Sequence, residues 1–331
     1  MSSSLHPSEV LYSGEKPFPA IAACVHYAGR ERYIQKALEL QHEFGPIFDI
    51  TCDCDDGAVA GAEREHAEMV SAFIAGPLNR HDRVGARIHD YTHRHWRDDL
   101  DIILRQSGTR IAFIVIPKVE RVAQLAEMIE VVKSLSKQHC GERHIPIHVM
   151  VETHGALREI NSIAALPDVE TLDFGIMDFV SSHRGAIPVA AMRSPGQFDH
   201  PLIRRAKCEV VAAAIGHGVI PAHNVTTEVR DVSQVAADAR RAREEFGFLR
   251  MWSIHPTQIE PIVKAMSPRE DEADEAAEIL IAAQEKKWGP IQVRGRLHDR
   301  ASYRYYWDLL QRAKATGLKI PELVNRAFWG K

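Results

Sequence analysis

Short apolar, β-branched runs alternate along the chain with longer amphipathic stretches. The runs fall at 21–25, 47–51, 84–88, 111–116, 147–151, 171–176, 219–222 and 249–254. Helical periodicity fills the intervals, for example at 31–44, 62–74, 119–135, 201–217 and 234–246, with another helix pattern at 256–266. Runs apolar on both faces predict parallel strands covered by helices on each side. Eight such units in about 250 residues predict an α/β fold of the (β/α)₈ TIM-barrel type. A doubly wound open sheet is the alternative. No Gly-x-Gly-x-x-Gly follows the first run, which weakens a dinucleotide-binding reading.

A further helix pattern, 272–287, leads to the breaker Trp288-Gly289-Pro290 and to an aromatic segment around Tyr303-Arg304-Tyr305-Tyr306-Trp307. The division expected is an N-terminal extension over 1–20, a barrel over 21–268 and a C-terminal helical extension over 269–331. Such an aromatic extension suits a packed arm on a neighbouring subunit.

Composition narrows the function. The 331 residues carry a formal net charge of −4, are 45% hydrophobic and 26% charged, and hold no basic stripe, which argues against nucleic acid as a partner. No apolar run reaches the roughly 20 residues that span a bilayer, so no membrane partner is expected. The N-terminus has no apolar signal core. Five scattered cysteines read as reduced thiols of a cytoplasmic protein.

In a parallel barrel the chemistry gathers where strands end. Asp53, Asp55 and Asp56 stand at the end of the second run and Arg87 and His89 at the third. Lys118 and Glu120 stand at the fourth, Glu152 at the fifth, Asp178 at the sixth, His223 at the seventh and His255 at the eighth. Carboxylates closing adjacent strands suit magnesium, which needs one or two of them; Glu152 and Asp178 could equally cap the helices that follow. The fork of Arg87 suits a carboxylate or enolate, or an ion pair with the nearby aspartates. Asp56 reads as a helix N-cap. Lys118 reads as an ion-pair partner of the acidic cluster, with Schiff-base chemistry the lesser alternative. His255 is a base, a ligand or a hydrogen-bonded barrel residue. His89, His93 and His95 read as a surface cluster.

Six stretches in order resemble the HpcH/HpaI aldolase and citrate lyase beta-subunit-like family. They are Asp53-Cys54-Asp55-Asp56-Gly57-Ala58, Arg87-Ile88-His89, Ile116-Pro117-Lys118-Val119-Glu120, Val151-Glu152-Thr153, Phe174-Gly175-Ile176-Met177-Asp178-Phe179 and Ser253-Ile254-His255-Pro256-Thr257-Gln258-Ile259. The resemblance implies a TIM barrel, commonly trimeric, with Mg²⁺ on Glu152 and Asp178. It implies a carbon–carbon lyase that cleaves or forms a 3-hydroxyacyl thioester such as malyl-CoA or citramalyl-CoA, with a 2-oxo acid and acyl-CoA as partners. Arg87, Asp55 and Asp299 are the catalytic candidates. Arg87, Lys118 and His255 are the substrate-binding ones. Asp299 closes Gly295-Arg296-Leu297-His298-Asp299, which is similar to a family motif whose aspartate acts in a neighbouring subunit's site. Two positions depart from the pattern: Asp55 stands in place of glutamate and His89 in place of asparagine. The alternatives are an aldolase of free 4-hydroxy-2-oxo acids, with His89 or His26 as base, and a catalytically degenerate ligand-binding homologue.

Overall fold

The computed structural model describes residues 5–12, 18–57 and 60–330. Residues 1–4 and 13–17 of the expected N-terminal extension, and Ala58 of the acidic motif, therefore lie outside the described residues. Two compact units divide the chain. Cys24–Met266 form one. Residues of Met1–Ala23 join Ser267–Lys331 in the other. The N-terminal piece is thus grouped with the C-terminal segment.

The larger unit is a closed parallel barrel in sequence order. Its strands are β1 (Cys24–Ala28), β2 (Phe48–Asp53), β3 (Val84–Arg87), β4 (Ile114–Ile116), β5 (Ile147–Val151), β6 (Val169–Phe174), β7 (Ile220–His223) and β8 (Arg250–Ser253). Cys24 pairs with Phe48 on one side and Met251 on the other, which closes the ring. The expected TIM barrel is what the chain forms.

Local sequence explains the covering helices. In the helix Glu31–Phe44, Ile34, Ala37, Leu38 and Gln41 recur at helical spacing and are buried. Gln41 enters the apolar face because its Nε2 donates to the Phe48 carbonyl at 2.8 Å. Gly45, at φ 80°, ends that helix in a conformation that costs glycine little.

Alternation along the strands sends every second side chain into the barrel. Val25, Phe113, Val115, Met150, Ala222 and Trp252 form a packed interior cluster, with Tyr27 against it. Gly85 makes room for it: a Cβ there would lie 2.3 Å from the Phe113 ring. Phe113 also stacks on His148 at 3.9 Å. Asp49, buried, is held between Arg83 at 2.6 Å and Arg250 at 2.7 Å. The barrel is therefore plugged, and a ligand can enter only from an end.

The second unit packs the helices Glu270–Glu285 and Arg300–Ala315 through Ile279, Leu280 and Ala283 with Tyr303, Trp307 and Leu310. Leu11 and Phe328 complete its core. It is not wholly helical. Strands β9 (Ile291–Val293) and β10 (Arg296–His298) form an antiparallel hairpin whose turn residues Arg294 and Gly295 both have positive φ. No helix among the described residues is long and apolar enough to cross a membrane.

Candidate active site

Glu152 is the residue after β5, and Asp178 lies in the first turn of the helix Ile176–Ser181 that follows β6. Neither is a cap. Thr153 caps the helix His154–Arg158 through its hydroxyl, and the Ile176–Ser181 helix has Gly175 at its N-cap with no side-chain cap bond. The helix-cap reading of the two acids is thereby set aside. Both carboxylates line one cavity of about 190 Å³ together with Arg87.

Glu152 is almost fully buried. Its Oε1 accepts from the Lys118 backbone N–H at 2.7 Å. Burial, with the Asp178 charge adding to it, pushes its carboxyl up to about 8. Gly175 is required beside it, because a Cβ there would lie 2.4 Å from Glu152 Oε2. Lys118 itself takes φ 50°, which turns its N–H toward Glu152 while its side chain runs elsewhere. Its Nζ donates to Asp55 at 3.0 Å and Asp56 at 2.8 Å. Burial opposes that charge, but the two carboxylates outweigh burial and hold the lysine protonated, so it is no Schiff-base amine.

Arg87, the last residue of β3, is buried and forked onto Asp53: Nε to Oδ1 at 2.6 Å and one terminal nitrogen to Oδ2 at 3.0 Å. The same nitrogen donates to the Tyr27 hydroxyl at 3.2 Å and reaches Asp56 at 3.4 Å. The other terminal nitrogen meets Met150 Sδ at 3.5 Å. Tyr27 also donates to Asp53. Burial works against the Asp53 charge, yet the guanidinium beside it holds the carboxyl below the usual range. Arg87 thus has an anchor on one edge and a charge delivered to the cavity wall. Its two expected roles, ion pair and ligand holder, are compatible.

Two local readings change, those of Asp56 and His89, and the other candidates are placed as follows. Asp56 caps no helix: it pairs with Lys118 and Arg87, and the next helix, Glu63–Ala75, begins after Ala62. Asp55 and Lys118 do not line the cavity; they brace each other beside it, where burial raises the Asp55 carboxyl. His255 does not line it either. That side chain caps the turn Pro256–Gln258 and is exposed. His89 is no surface residue: its backbone N–H and ring both bond Asp99, at 3.0 and 2.6 Å, and its ring stacks on His93. His223 ends β7 but faces away from the barrel axis, buried against Lys207 Nζ at 2.6 Å. Asp299 lies in the smaller unit, exposed, where it caps the helix Arg300–Ala315. Neither His26 nor His89 lines the cavity. His26 bonds Ser253 at 2.7 Å, and burial lowers its ring to about 4.

The cavity also contains residues the sequence did not single out: Tyr27, Met150, Asn224 and Trp252. Tyr27, Met150 and Trp252 take inward-facing strand positions, and that alternation is the one signal that could have found them.

Among the described residues no three or more of His, Cys, Asp and Glu converge as a metal-binding group. Three carboxylates line the cavity; Asp56 is already paired with Lys118 and Arg87, which leaves Glu152 and Asp178, the first buried with its charge poorly compensated. That is an all-oxygen donor set with an unsatisfied demand for positive charge, and it fits a hard divalent cation that keeps much of its water.

Comparison with known proteins places the chain in a family. The sequence pattern described as HpcH/HpaI aldolase/citrate lyase matches residues 50–256, which hold most of β2, all of β3 to β8 and both carboxylates. The chain belongs to the HpcH/HpaI aldolase/citrate lyase family. By that membership it is a carbon–carbon lyase. A citrate lyase from Burkholderia xenovorans LB400 is 53% identical, with 98% of this chain and 100% of that chain covered and a TM-score of 0.85. The L-malyl-CoA/beta-methylmalyl-CoA lyase of Cereibacter sphaeroides is 27% identical over 80% of this chain and 87% of its own length. The malyl-CoA/beta-methylmalyl-CoA/citramalyl-CoA lyase of Chloroflexus aurantiacus is 25% identical over 88% of each. The CitE protein of Mycobacterium tuberculosis, solved with magnesium, acetoacetate and coenzyme A, shares the fold at 20% identity. It covers 89% of this chain and 99% of its own, with a TM-score of 0.66.

Proposed function

We propose that the protein is a magnesium-dependent lyase that cleaves or forms a 3-hydroxyacyl thioester of the malyl-CoA or citramalyl-CoA type. The products of cleavage are a 2-oxo acid and an acyl-CoA. The observation that carries this reading is the meeting of Glu152 and Asp178 in one cavity with the Arg87 guanidinium. The named relatives support the thioester class, since two of those compared act on CoA thioesters by name.

Glu152 and Asp178 would hold Mg²⁺. Bound there, the ion supplies Lewis-acid and templating chemistry. Arg87 holds the substrate carboxylate and stabilises the enolate charge. Asp53 keeps the guanidinium in place for that task. In cleavage the hydroxyl proton passes to water, the freed oxygen pair forms the carbonyl of the 2-oxo acid, and the electron pair of the broken carbon–carbon bond becomes the thioester enolate. Asp299 of a neighbouring copy returns a proton to that carbon; its exposure at a helix start suits a group offered to another subunit. This assignment needs a homo-oligomer, for which a trimer is proposed. Asp55 acts through Lys118 as a positioning group. The free cysteines suit the cytoplasm.

The aldolase alternative loses its support, because neither candidate histidine base lines the cavity. The degenerate-homologue alternative is weakened by two retained carboxylates. Release of glyoxylate from malyl-CoA or pyruvate from citramalyl-CoA tests the proposal: turnover with Mg²⁺ that EDTA abolishes is expected. Turnover of free 4-hydroxy-2-oxo acids alone would overturn it.

A further inference from the structure

The residue that follows β7 was not among the expected site residues, yet it sits in the cavity wall. Asn224 is 97% buried, because only 3% of its surface is exposed, and it lines the cavity with Glu152 and Asp178. Its amide is held in one orientation. Nδ2 donates to Gln197 Oε1 at 2.8 Å and to the Val225 carbonyl at 2.9 Å. Gln197 is fixed in turn: its Nε2 donates to Asp238 at 2.9 Å and Ser194 at 3.1 Å, so its oxygen must face Asn224. Flipping the Asn224 amide would set oxygen against two oxygens. Oδ1, meanwhile, has no hydrogen-bond partner in the protein. A buried, unpaired amide oxygen beside a ligand cavity is costly unless a ligand supplies a donor.

We propose that Asn224 is a specificity-determining residue whose Oδ1 accepts a hydrogen bond from the hydroxyl next to the substrate carboxylate. The inference rests on the hydroxyacyl-thioester reading. A hydroxyl can donate to Oδ1. The carbonyl that replaces it after cleavage cannot, and two acceptors then face each other. Asn224 thereby favours the hydroxy acid over the 2-oxo acid and helps the latter leave.

The test is a pair of titrations on the full chain with Mg²⁺, using lactate and pyruvate as hydroxy and oxo probes of one skeleton. Asn224→Ala and Asn224→Leu should shift the lactate-to-pyruvate affinity ratio about tenfold toward pyruvate, the loss of one hydrogen bond. Asn224→Ser should restore part of the preference. An unchanged ratio, or equal weakening of both ligands, overturns the proposal and marks a structural role. Should the variants not fold, a structure of the wild type with Mg²⁺ and lactate decides. Oδ1 within hydrogen-bond reach of the hydroxyl supports the proposal, and a hydroxyl bonded elsewhere defeats it. Failure of the lyase reading shows separately, as absent thioester turnover by the wild type while the ratio shift persists.

Discussion

Replacing Glu152 by glutamine should stabilise the metal-free barrel at alkaline pH while destroying its magnesium response. The amide keeps an oxygen for the Lys118 N–H and removes the charge. In the wild type the carboxyl ionises near 8 when folded and near 4.5 when unfolded. Below about 4.5 both states hold the proton, and nothing is lost. From there to about 8 only the unfolded chain releases it. Folding stability therefore falls as pH rises, at up to about 1.4 kcal/mol per pH unit. Above 8 both states are ionised, and the cost levels off. Glutamine has no proton to lose. From pH 6 to pH 9 the gap between E152Q and the wild type should thus widen by at most about 3 kcal/mol, since the increase stops near 8. In a unit the size of Cys24–Met266, each kcal/mol is worth about 2–4 °C in Tm. Thermal unfolding in EDTA at the two pH values reads this directly. Magnesium at about 100 times its Kd should then stabilise the wild type by about 2.7 kcal/mol and the variant far less. A gap that stays flat with pH, or a variant that magnesium stabilises as well as the wild type, would refute the reasoning.

Three further outcomes follow from the same geometry. Asp53→Ala leaves the Arg87 guanidinium buried without its forked partner, and should cost about 3–5 kcal/mol in urea unfolding. Gly175→Ala sets a Cβ 2.4 Å from Glu152 Oε2, so the carboxylate must shift; calorimetry should show magnesium affinity down about 10–100-fold, the loss typical when a ligand's support is disturbed. Arg87→Lys keeps the charge but not the fork, and kcat/KM on the thioester should fall about 10²–10³-fold with the fold intact by circular dichroism.

The barrel was legible because its strands obey one rule throughout. The run 147–151 is apolar at every position but His148, and it forms β5 with the expected bounds. The first strand was misplaced, expected at 21–25 and found at Cys24–Ala28, because His26 and Tyr27 look too polar for it. Each is satisfied by a partner far along the chain, Ser253 and Asp53, which no local pattern reveals. The two carboxylates were legible because strand ends in a parallel barrel converge. The histidines were not. A one-residue error in where a strand stops reverses the face of the next side chain. His223 was therefore assigned to the rim, when it belongs to β7 and packs on Lys207, while Asn224 lines the cavity. His89 was read as surface because its partner, Asp99, lies ten residues on in a different element. The role of Lys118 was hidden most completely. It acts on Glu152 through its backbone, at a positive φ that its side chain does not advertise.

The central claim is that Glu152 and Asp178 together hold the catalytic cation, facing Arg87. A crystal structure with Mg²⁺ and a 2-oxo acid soaked in tests it most directly. One ion should appear with an oxygen from each carboxylate at about 2.0–2.1 Å, octahedral, with the acid's oxygens completing its shell. An ion bound elsewhere, or bound by only one of the two carboxylates, would contradict it.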